Sequence, residues 1–270
     1  MRPVSFGKQI EMLGTPYITE LASRGRHDFT SREAQRALGG SAVAAQAVLR
    51  RLVKKGEIAA PVRGFYVIVP PEYRRLGCVP AEQFIPQLMQ RVGEPYYVGL
   101  LSAAVHHGAA HHRPQELQVM VGKPRRPIVC GKVRVRFVVR TAVREVPTIT
   151  VNTPRGQMRV SSPEATAFDL VGYPDRVGGV DVVASVLREL GESLDAKRLV
   201  RVAAVAPVPW AQRLGYLLDT VGHAEVAADL AAHVDEVVTQ YVPLVTGSRR
   251  RGRRVPRWRV LANARIEADS

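Results

Sequence analysis

The stretch Ser41–Val69, SAVAAQAVLRRLVKKGEIAAPVRGFYVIV, decides the fold of the first part of the chain. Ser41 is a typical helix N-cap, apolar residues then recur at helical spacing, and Gly56 follows as a helix terminator. Two short runs, Glu57–Pro61 and Phe65–Val69, surround the turn Val62-Arg63-Gly64 and predict a β-hairpin. The stretch therefore predicts a helix that is followed directly by a hairpin.

The residues before this stretch predict two more helices. Thr15-Pro16 has the form of an N-cap followed by a proline at the first helical position. Thr30 caps the second helix, which we expect to pack Ala34, Ala37 and Leu38 and to end at Gly39. The order helix, helix, turn, helix, hairpin is that of a winged helix-turn-helix, so residues 1–70 are predicted to form this domain.

The third helix has two unlike faces on a helical wheel. The face that we expect in the core consists of Ala45, Val48, Leu49 and Leu52. The opposite face carries Val43, Gln46, Ala47, Arg50 and Lys54, with Arg51 at its edge. A solvated face would usually mix acids with bases, but this helix contains no acid.

This acid-free face predicts contacts with duplex DNA. Gln46 can pair with an adenine edge and Arg50 with a guanine, while Val43 and Ala47 can contact thymine methyl groups. Arg63 at the hairpin tip can enter a minor groove or contact a phosphate. The alternative is a domain of the same fold that contacts protein and whose basic side chains are solvated.

Composition bounds the class of protein. The 270 residues are 46% hydrophobic and 23% charged, which suffices for a core in each of two domains. No apolar run approaches the roughly 18 residues of a membrane span, and the first residues lack a secretory signal, so we expect a cytoplasmic protein without a membrane partner. The two cysteines, Cys78 and Cys130, are far apart and in no metal spacing, which argues against a disulfide framework or a zinc finger.

The charge is strongly positive and unevenly distributed. The formal net charge is +15, with a pI near 10.6, which favours a polyanionic partner. Residues 1–70 hold 11 bases and 5 acids, and residues 71–160 hold 14 and 5. Residues 161–245 reverse the balance with 6 bases and 12 acids, and residues 246–270 restore it with 8 and 2. We therefore expect a nucleic-acid face on the first half and the tail.

The rest of the chain predicts a second, larger domain with strands first and helices later, and the whole is α+β. We expect a connector over 71–95 and the second domain over 96–270. This domain should begin with a helix over Tyr97–His107, followed by antiparallel strands within about 117–161 and helices within about 163–238. It should end with short strands at Val242–Val245 and Trp258–Leu261 and with a basic segment over 246–270.

Arginines crowd the C-terminal segment. We expect a second phosphate-contacting patch from Arg249, Arg250, Arg251, Arg253 and Arg254, with Arg257 and Arg259 close behind. Trp258 argues that the end of the run is fixed to the domain. The alternative is a solvated, disordered tail.

Two clusters of polar residues have types that occur in enzyme active sites. His106, His107, His111 and His112 crowd together, but no glutamate follows the first histidine and Gly108 predicts a helix end between them. Glu164 and Asp169 stand five residues apart, about 140° around a helix, so they do not share a face. No phosphate-binding glycine loop or serine elbow occurs. We therefore expect no catalytic residues, no metal and no cofactor.

Five segments resemble AbiEi-family antitoxins, the antitoxin half of type IV toxin–antitoxin systems. They are VLRRLVKKGEIAAPVRGFYVIVP, YYVGLLSAAVHHGAAHH, VSSPEATAFDLV, QRLGYLLDTVG and RWRVLANARIEAD. The resemblance implies a winged helix that binds the promoter of its own operon as a repressor. It also implies a larger domain needed for antitoxicity and a neighbouring nucleotidyltransferase-like toxin. From the residues alone, a ligand-sensing one-component regulator and, less favoured, a metal-dependent nuclease remain open.

Overall fold

The computed structural model describes residues 14–109, 114–247 and 252–266. The chain divides into two compact units, neither of which is continuous in sequence. The first unit contains residues 1–94, 124–137 and 152–158, and the second contains residues 95–123, 138–151 and 159–270.

The described residues form ten α-helices and twelve strands. The helices are α1 Gly14–Ser23, α2 Ser31–Leu38, α3 Ala42–Lys54, α4 Ile85–Val92, α5 Leu100–His106, α6 Pro163–Gly172, α7 Val180–Leu190, α8 Ala196–Ala203, α9 Val208–Thr220 and α10 Ala228–Val237. The strands are β1 Asp28–Thr30, β2 Ile58–Val62, β3 Phe65–Ile68, β4 Tyr96–Val98, β5 Leu117–Val121, β6 Ile128–Cys130, β7 Val133–Val139, β8 Thr148–Thr153, β9 Gly156–Ser161, β10 Val242–Pro243, β11 Arg253–Val255 and β12 Val260–Ala262.

Local caps set the helix starts of the first unit. The Thr30 hydroxyl accepts a hydrogen bond from the Glu33 N–H, and the Glu33 carboxylate accepts one from the Thr30 N–H, which is a complete capping box. The Ser41 hydroxyl likewise accepts a hydrogen bond from the Ala44 N–H at the start of α3. The N-caps predicted at Thr30 and Ser41 are confirmed.

Three antiparallel strands complete the N-terminal part of this unit, in the order β1–β3–β2. Gly64 has a φ of +82° in the turn between β2 and β3, a conformation that glycine adopts at little cost. Phe29, Leu49 and Ile58 are buried in the core beneath the sheet. One prediction is wrong here: Ala37 is exposed rather than packed, because α2 turns only Ala34 and Leu38 toward this core.

The second unit combines a sheet with a helical core. Strand β4 pairs antiparallel with β5, placing Tyr97 opposite Met120, and parallel with β9, placing Val98 opposite Val160. The buried cluster of this unit is rich in leucine and valine from α6 to α10 and contains the fully buried Trp258. The predicted α+β class, a mixture of helices and largely antiparallel strands, is confirmed.

The predicted helix Tyr97–His107 is wrong at its start. Tyr96–Val98 is strand β4, and the helix begins only at Leu100. Hydrogen bonding to neighbours on both sides overrides the local helical spacing of these residues. A Cβ on Gly99 would lie 2.6 Å from Met120 Cγ, so glycine permits the close approach at the change from strand to helix.

The C-terminal end forms a separate small sheet in the order β10–β12–β11. The strand predicted at Trp258–Leu261 starts later, at Val260, because Pro256–Trp258 forms a 3₁₀ turn. The connector predicted over 71–95 contains the helix Ile85–Val92, which its proline-rich start did not suggest. The functional boundaries near residues 70 and 95 stay a prediction.

Candidate nucleic-acid interface

The two faces of α3 are those that the helical wheel predicts. Ala45, Val48, Leu49 and Leu52 are buried, and Gln46, Arg50 and Lys54 are exposed. Val43 is 74% exposed although it is apolar, and Ala47 and Arg51 are half-buried. The exposed face is therefore basic and apolar together, a composition that solvation alone does not require.

A groove of about 630 Å³ lies between this face and the β2–β3 hairpin. It is lined by Ser31, Ala42, Val43, Gln46, Arg50, Ala60, Arg63, Gly64 and Tyr66. Four predicted DNA-contacting residues thus meet in one concave surface, and none of the lining residues is acidic. Ala47, Arg51 and Lys54 are not part of this lining.

Tyr66 belongs to the groove and was not predicted from the sequence. The Gln46 amide nitrogen donates a hydrogen bond of 3.3 Å to the Tyr66 hydroxyl, which holds the Gln46 side chain toward the hairpin. The Tyr66 ring is stacked on Phe29 with 5.5 Å between centroids, so its hydroxyl has a fixed position. The alternation of side chains along strand β3 indicates which face of the strand Tyr66 occupies, but it does not show that the Tyr66 hydroxyl contacts Gln46 on α3.

The hairpin tip is held to the start of α2. The Ser31 N–H donates a 3.0 Å hydrogen bond to the Gly64 carbonyl, and Arg63 beside it is exposed. Strand β2 has a register irregularity between Ala59 and Val62, next to this tip. Arg63 is therefore exposed next to a backbone position that is hydrogen-bonded to the start of α2.

Acids close to α2 are neutralised by arginines of the same unit. Arg91 donates to Asp28 at 2.6 Å and lies 3.3 Å from Glu33, and Arg26 donates to Glu33 at 2.7 Å. Burial raises the pKa of Glu33, but hydrogen bonds from Thr30 and Arg26 outweigh it and lower the pKa to about 2. Both carboxylates are therefore paired, which reduces their repulsion of a phosphate backbone.

The predicted second patch lies in the other unit and is described only in part. Arg253 and Arg254 are exposed on β11, and the Arg254 guanidinium lies 5.4 Å from the centre of the Tyr241 ring. Arg249, Arg250 and Arg251 lie outside the described residues.

The later arginines of the run have acidic partners within their own unit. Arg257 pairs with Asp219 at 3.4 Å and Arg259 with Asp235 at 3.0 Å. Trp258 is fully buried and donates a 2.7 Å hydrogen bond to Asp219. The prediction that the end of this run is fixed to the domain is confirmed.

The carboxylates Glu164 and Asp169 serve separate buried networks. Glu164 accepts hydrogen bonds from the Ser162 hydroxyl at 2.9 Å and from the Asp195 N–H at 3.3 Å, which links the starts of α6 and α8. Asp169 accepts a 2.7 Å hydrogen bond from Tyr97 and lies 3.4 Å from Arg140. Each carboxylate is about 1% exposed and has its own structural partners.

Asp169 titrates in an unusual range because it is enclosed. Burial raises its pKa to about 6, although the Tyr97 hydrogen bond and the Arg140 charge act in the opposite direction. Arg140 also lies 4.6 Å above the Trp210 ring, so its charge is held between a carboxylate and an aromatic face. Local sequence patterns carry no signal for this network, because successive members along the chain, Tyr97, Arg140, Asp169 and Trp210, are 29 to 43 residues apart.

Of the clustered histidines, His106 and His107 are described. Helix α5 ends at His106, and a ring nitrogen of His107 lies 2.8 Å from the Ser161 carbonyl oxygen. His111 and His112 lie outside the described residues. Among residues 14–109, 114–247 and 252–266, no three histidine, cysteine or acidic side chains meet in a group that could hold a metal. In the same residues, no helix is long and apolar enough to span a bilayer.

Comparison with known proteins shows a similarity to antitoxins in the middle and later part of the chain. Residues 97–220 match the family described as the AbiEi antitoxin C-terminal domain. The match confirms, over these residues, the resemblance to AbiEi antitoxins that was drawn from the sequence.

A solved structure supports the fold. The crystal structure of the RV2827C protein from Mycobacterium tuberculosis is similar with a TM-score of 0.65 and 17% identity, over 92% of this chain and 90% of that chain. At this identity the likeness concerns the fold alone. An antigenic nucleotidyltransferase-like protein from Paracoccidioides brasiliensis gives a TM-score of 0.33 and 10% identity, over 56% and 90% of the chains, which is too low to indicate a shared fold. No curated protein matches the sequence.

Proposed function

We propose that this chain is an antitoxin that represses its own toxin–antitoxin operon by binding duplex DNA through a winged helix-turn-helix. In this proposal α2 and α3 are the helix-turn-helix and the β2–β3 hairpin is the wing. The observation that supports it best is the acid-free groove, in which Gln46, Arg50 and Arg63 meet between α3 and the hairpin. A DNA major groove, about 12 Å wide, accepts an α-helix of 10–12 Å diameter.

The proposed contacts divide into base edges and phosphates. Gln46 carries a second amide N–H and a carbonyl oxygen besides the N–H bound to Tyr66, so it can pair with adenine. Arg50 pairs with guanine, and Val43 and Ala47 face thymine methyl groups. The cationic side chains near the end of α3 and at the wing, Arg51, Lys54 and Arg63, contact phosphates or the adjacent minor groove.

The second unit has two proposed roles. Its exposed Arg253 and Arg254, together with the preceding arginines, add phosphate contacts to those of α3. Its helical part, in which acids exceed bases, opposes a nucleotidyltransferase-like toxin encoded beside it. We therefore expect a co-transcribed open reading frame beside this gene that encodes a nucleotidyltransferase-like protein.

A binding-site selection from random duplexes tests the DNA contacts. Gln46→Ala and Arg50→Ala should each relax the preference at one base position, at a cost of about 1–3 kcal/mol for that base. Lys54→Ala should weaken binding to all sequences evenly. Arg201→Ala, which removes an exposed charge from α8, is the matched control and should bind as the wild type does. An unchanged base preference in both groove variants would refute base contact by this face.

A second candidate function is that of a regulator that senses a small anion. A cavity of about 170 Å³ in the first unit is lined by Gly25, Arg26, His27, Asp28, Val67, Gln83, Gln87 and Arg155. The buried atoms Arg155 Nη1 and Gln87 Oε1 have no hydrogen-bond partner within the described part of the chain. Inorganic phosphate or acetate should then raise the Tm of the wild type but not that of Arg155→Met. If the Tm of the wild type is the same with and without the anion, this candidate function is refuted and the promoter-binding antitoxin remains.

A further inference from the structure

Cys78 and Cys130 are in contact although 51 residues separate them in the sequence. Both are free and buried, and the Cys78 thiol donates a hydrogen bond to the Cys130 sulfur. Cys78 is fully enclosed, whereas Cys130 is 9% exposed. A small reagent therefore reaches Cys130 first.

A crossing of two backbone segments brings the thiols together. Gly77 precedes Cys78 and Gly131 follows Cys130, and a Cβ on Gly131 would lie 2.8 Å from Gly77 Cα. The Lys132 N–H donates a 2.7 Å hydrogen bond to the Leu76 carbonyl on the far side of the crossing. Glycines at both positions allow a separation that side chains would prevent, so the cysteines are held as neighbours by the backbone.

The two sulfurs are electrostatically unequal. The hydrogen bond from Cys78 lowers the pKa of Cys130 against the opposing effect of burial, and the Ala60 N–H lowers it further. The same hydrogen bond, followed by burial, raises the pKa of Cys78. Because Cys130 is 9% exposed and Cys78 is fully enclosed, Cys130 is the thiol that an oxidant meets first, and Cys78 is the adjacent thiol that can react with it afterwards.

Cys130 is also connected to the proposed DNA-binding groove. The Ala60 N–H that donates to its sulfur belongs to strand β2, and Ala60 lines the groove together with Arg63. This strand carries the register irregularity beside the hairpin tip. Movement of the Cys130 sulfur would remove a hydrogen bond from that strand.

We propose that Cys78 and Cys130 form a reversible oxidation site, whose disulfide weakens duplex binding by releasing Ala60 of strand β2. The second half of this proposal rests on the proposed DNA-binding function. In the disulfide, the sulfurs are about 2.05 Å apart, closer than any hydrogen-bonded pair of thiols, so the Cys130 sulfur is drawn toward Cys78 and away from Ala60.

The reaction uses a hydroperoxide as its oxidant. The Cys130 thiolate attacks the peroxide oxygen, the O–O bond breaks, and the products are a sulfenic acid and an alcohol, or water when the oxidant is hydrogen peroxide. The Cys78 sulfur then attacks the sulfenic sulfur and releases water, with its own proton completing that water. Two thiols and one hydroperoxide give one disulfide, one alcohol and one water, and a dithiol reductant reverses the change.

The chemical half is tested on the full-length wild type without reference to DNA. After hydrogen peroxide treatment, thiol titration of the denatured protein should fall from two thiols to none. The intact mass should fall by two hydrogens, with a single cross-linked peptide containing both cysteines, and dithiothreitol should restore both thiols. The proposed oxidation site would be refuted by any of three products: a disulfide between two chains, a sulfinic acid on Cys130, or two unreacted thiols.

The coupling to DNA is tested by titrating one duplex with reduced and oxidised protein at fixed salt. We expect oxidation to weaken binding about fivefold, the factor that corresponds to one lost hydrogen bond. The folded variants Cys78→Ser and Cys130→Ser should bind the duplex equally before and after peroxide. An intramolecular disulfide with unchanged affinity would refute the coupling alone, whereas no binding by the reduced protein would refute the proposed function.

Discussion

Gly215→Ala should destabilise the second unit, although the substitution favours a helix. Gly215 lies inside α9, where alanine is preferred by about 0.5–1 kcal/mol. A Cβ at this position, however, would overlap the six-membered ring of Trp258, which is fully buried and cannot withdraw. Overpacking of this kind costs about 1–3 kcal/mol, so we expect a net loss of about 1–2 kcal/mol.

Thermal and urea unfolding of the wild type, the two single variants and the double variant measures this effect and its cause. A net loss of that size lowers the Tm of a unit of this size by roughly 2–8 °C. Trp258→Phe deletes the ring atoms that face Gly215 and the hydrogen bond to Asp219, and is destabilising by itself. In the Trp258→Phe background, Gly215→Ala should become neutral or stabilising, because the overlap has gone. A higher Tm for Gly215→Ala in the wild-type background would refute the reasoning.

Three further outcomes are expected. Folding raises the pKa of Asp169 from an ordinary value of 3.8 to about 6, so between these pH values the folded state binds more protons than the unfolded state. The free energy of unfolding should therefore fall as the pH rises from about 4 to 6. In urea unfolding, Asp169→Asn should lack this pH dependence. Arg253→Ala plus Arg254→Ala should make the plot of log Kd against log salt less steep, and an equal slope would deny phosphate contact by β11. Arg50→Ala plus Lys54→Ala should lose promoter repression yet still rescue cells from the toxin expressed elsewhere, and joint loss would make DNA binding the antitoxic act.

Signals confined to one or two helical turns were predictable from the sequence. The capping box of Thr30 and Glu33 and the N-cap Ser41 act within four residues, so their residue types alone identify the helix starts. The buried and exposed faces of α3 follow from a period of 3.6 residues and were predicted for the same reason. The acid-free surface was therefore visible before any tertiary contact was known.

Features that depend on distant partners were decided by the tertiary structure. Tyr96–Val98 becomes a strand because β5 and β9 supply its hydrogen bonds, and no local pattern carries that information. Tyr66 completes the groove only because β3 brings its hydroxyl to Gln46.

The cysteines show the same division most clearly. Their spacing in the sequence argued against a disulfide framework and a zinc finger, whereas the crossing at Gly77 and Gly131 makes the two thiols neighbours. Composition and periodicity determine which side chains are apolar, charged or capping, because those properties belong to single residues and short segments. Which thiol meets which, and which hydroxyl meets which amide, is determined by packing, because that requires two segments of backbone to occupy fixed positions.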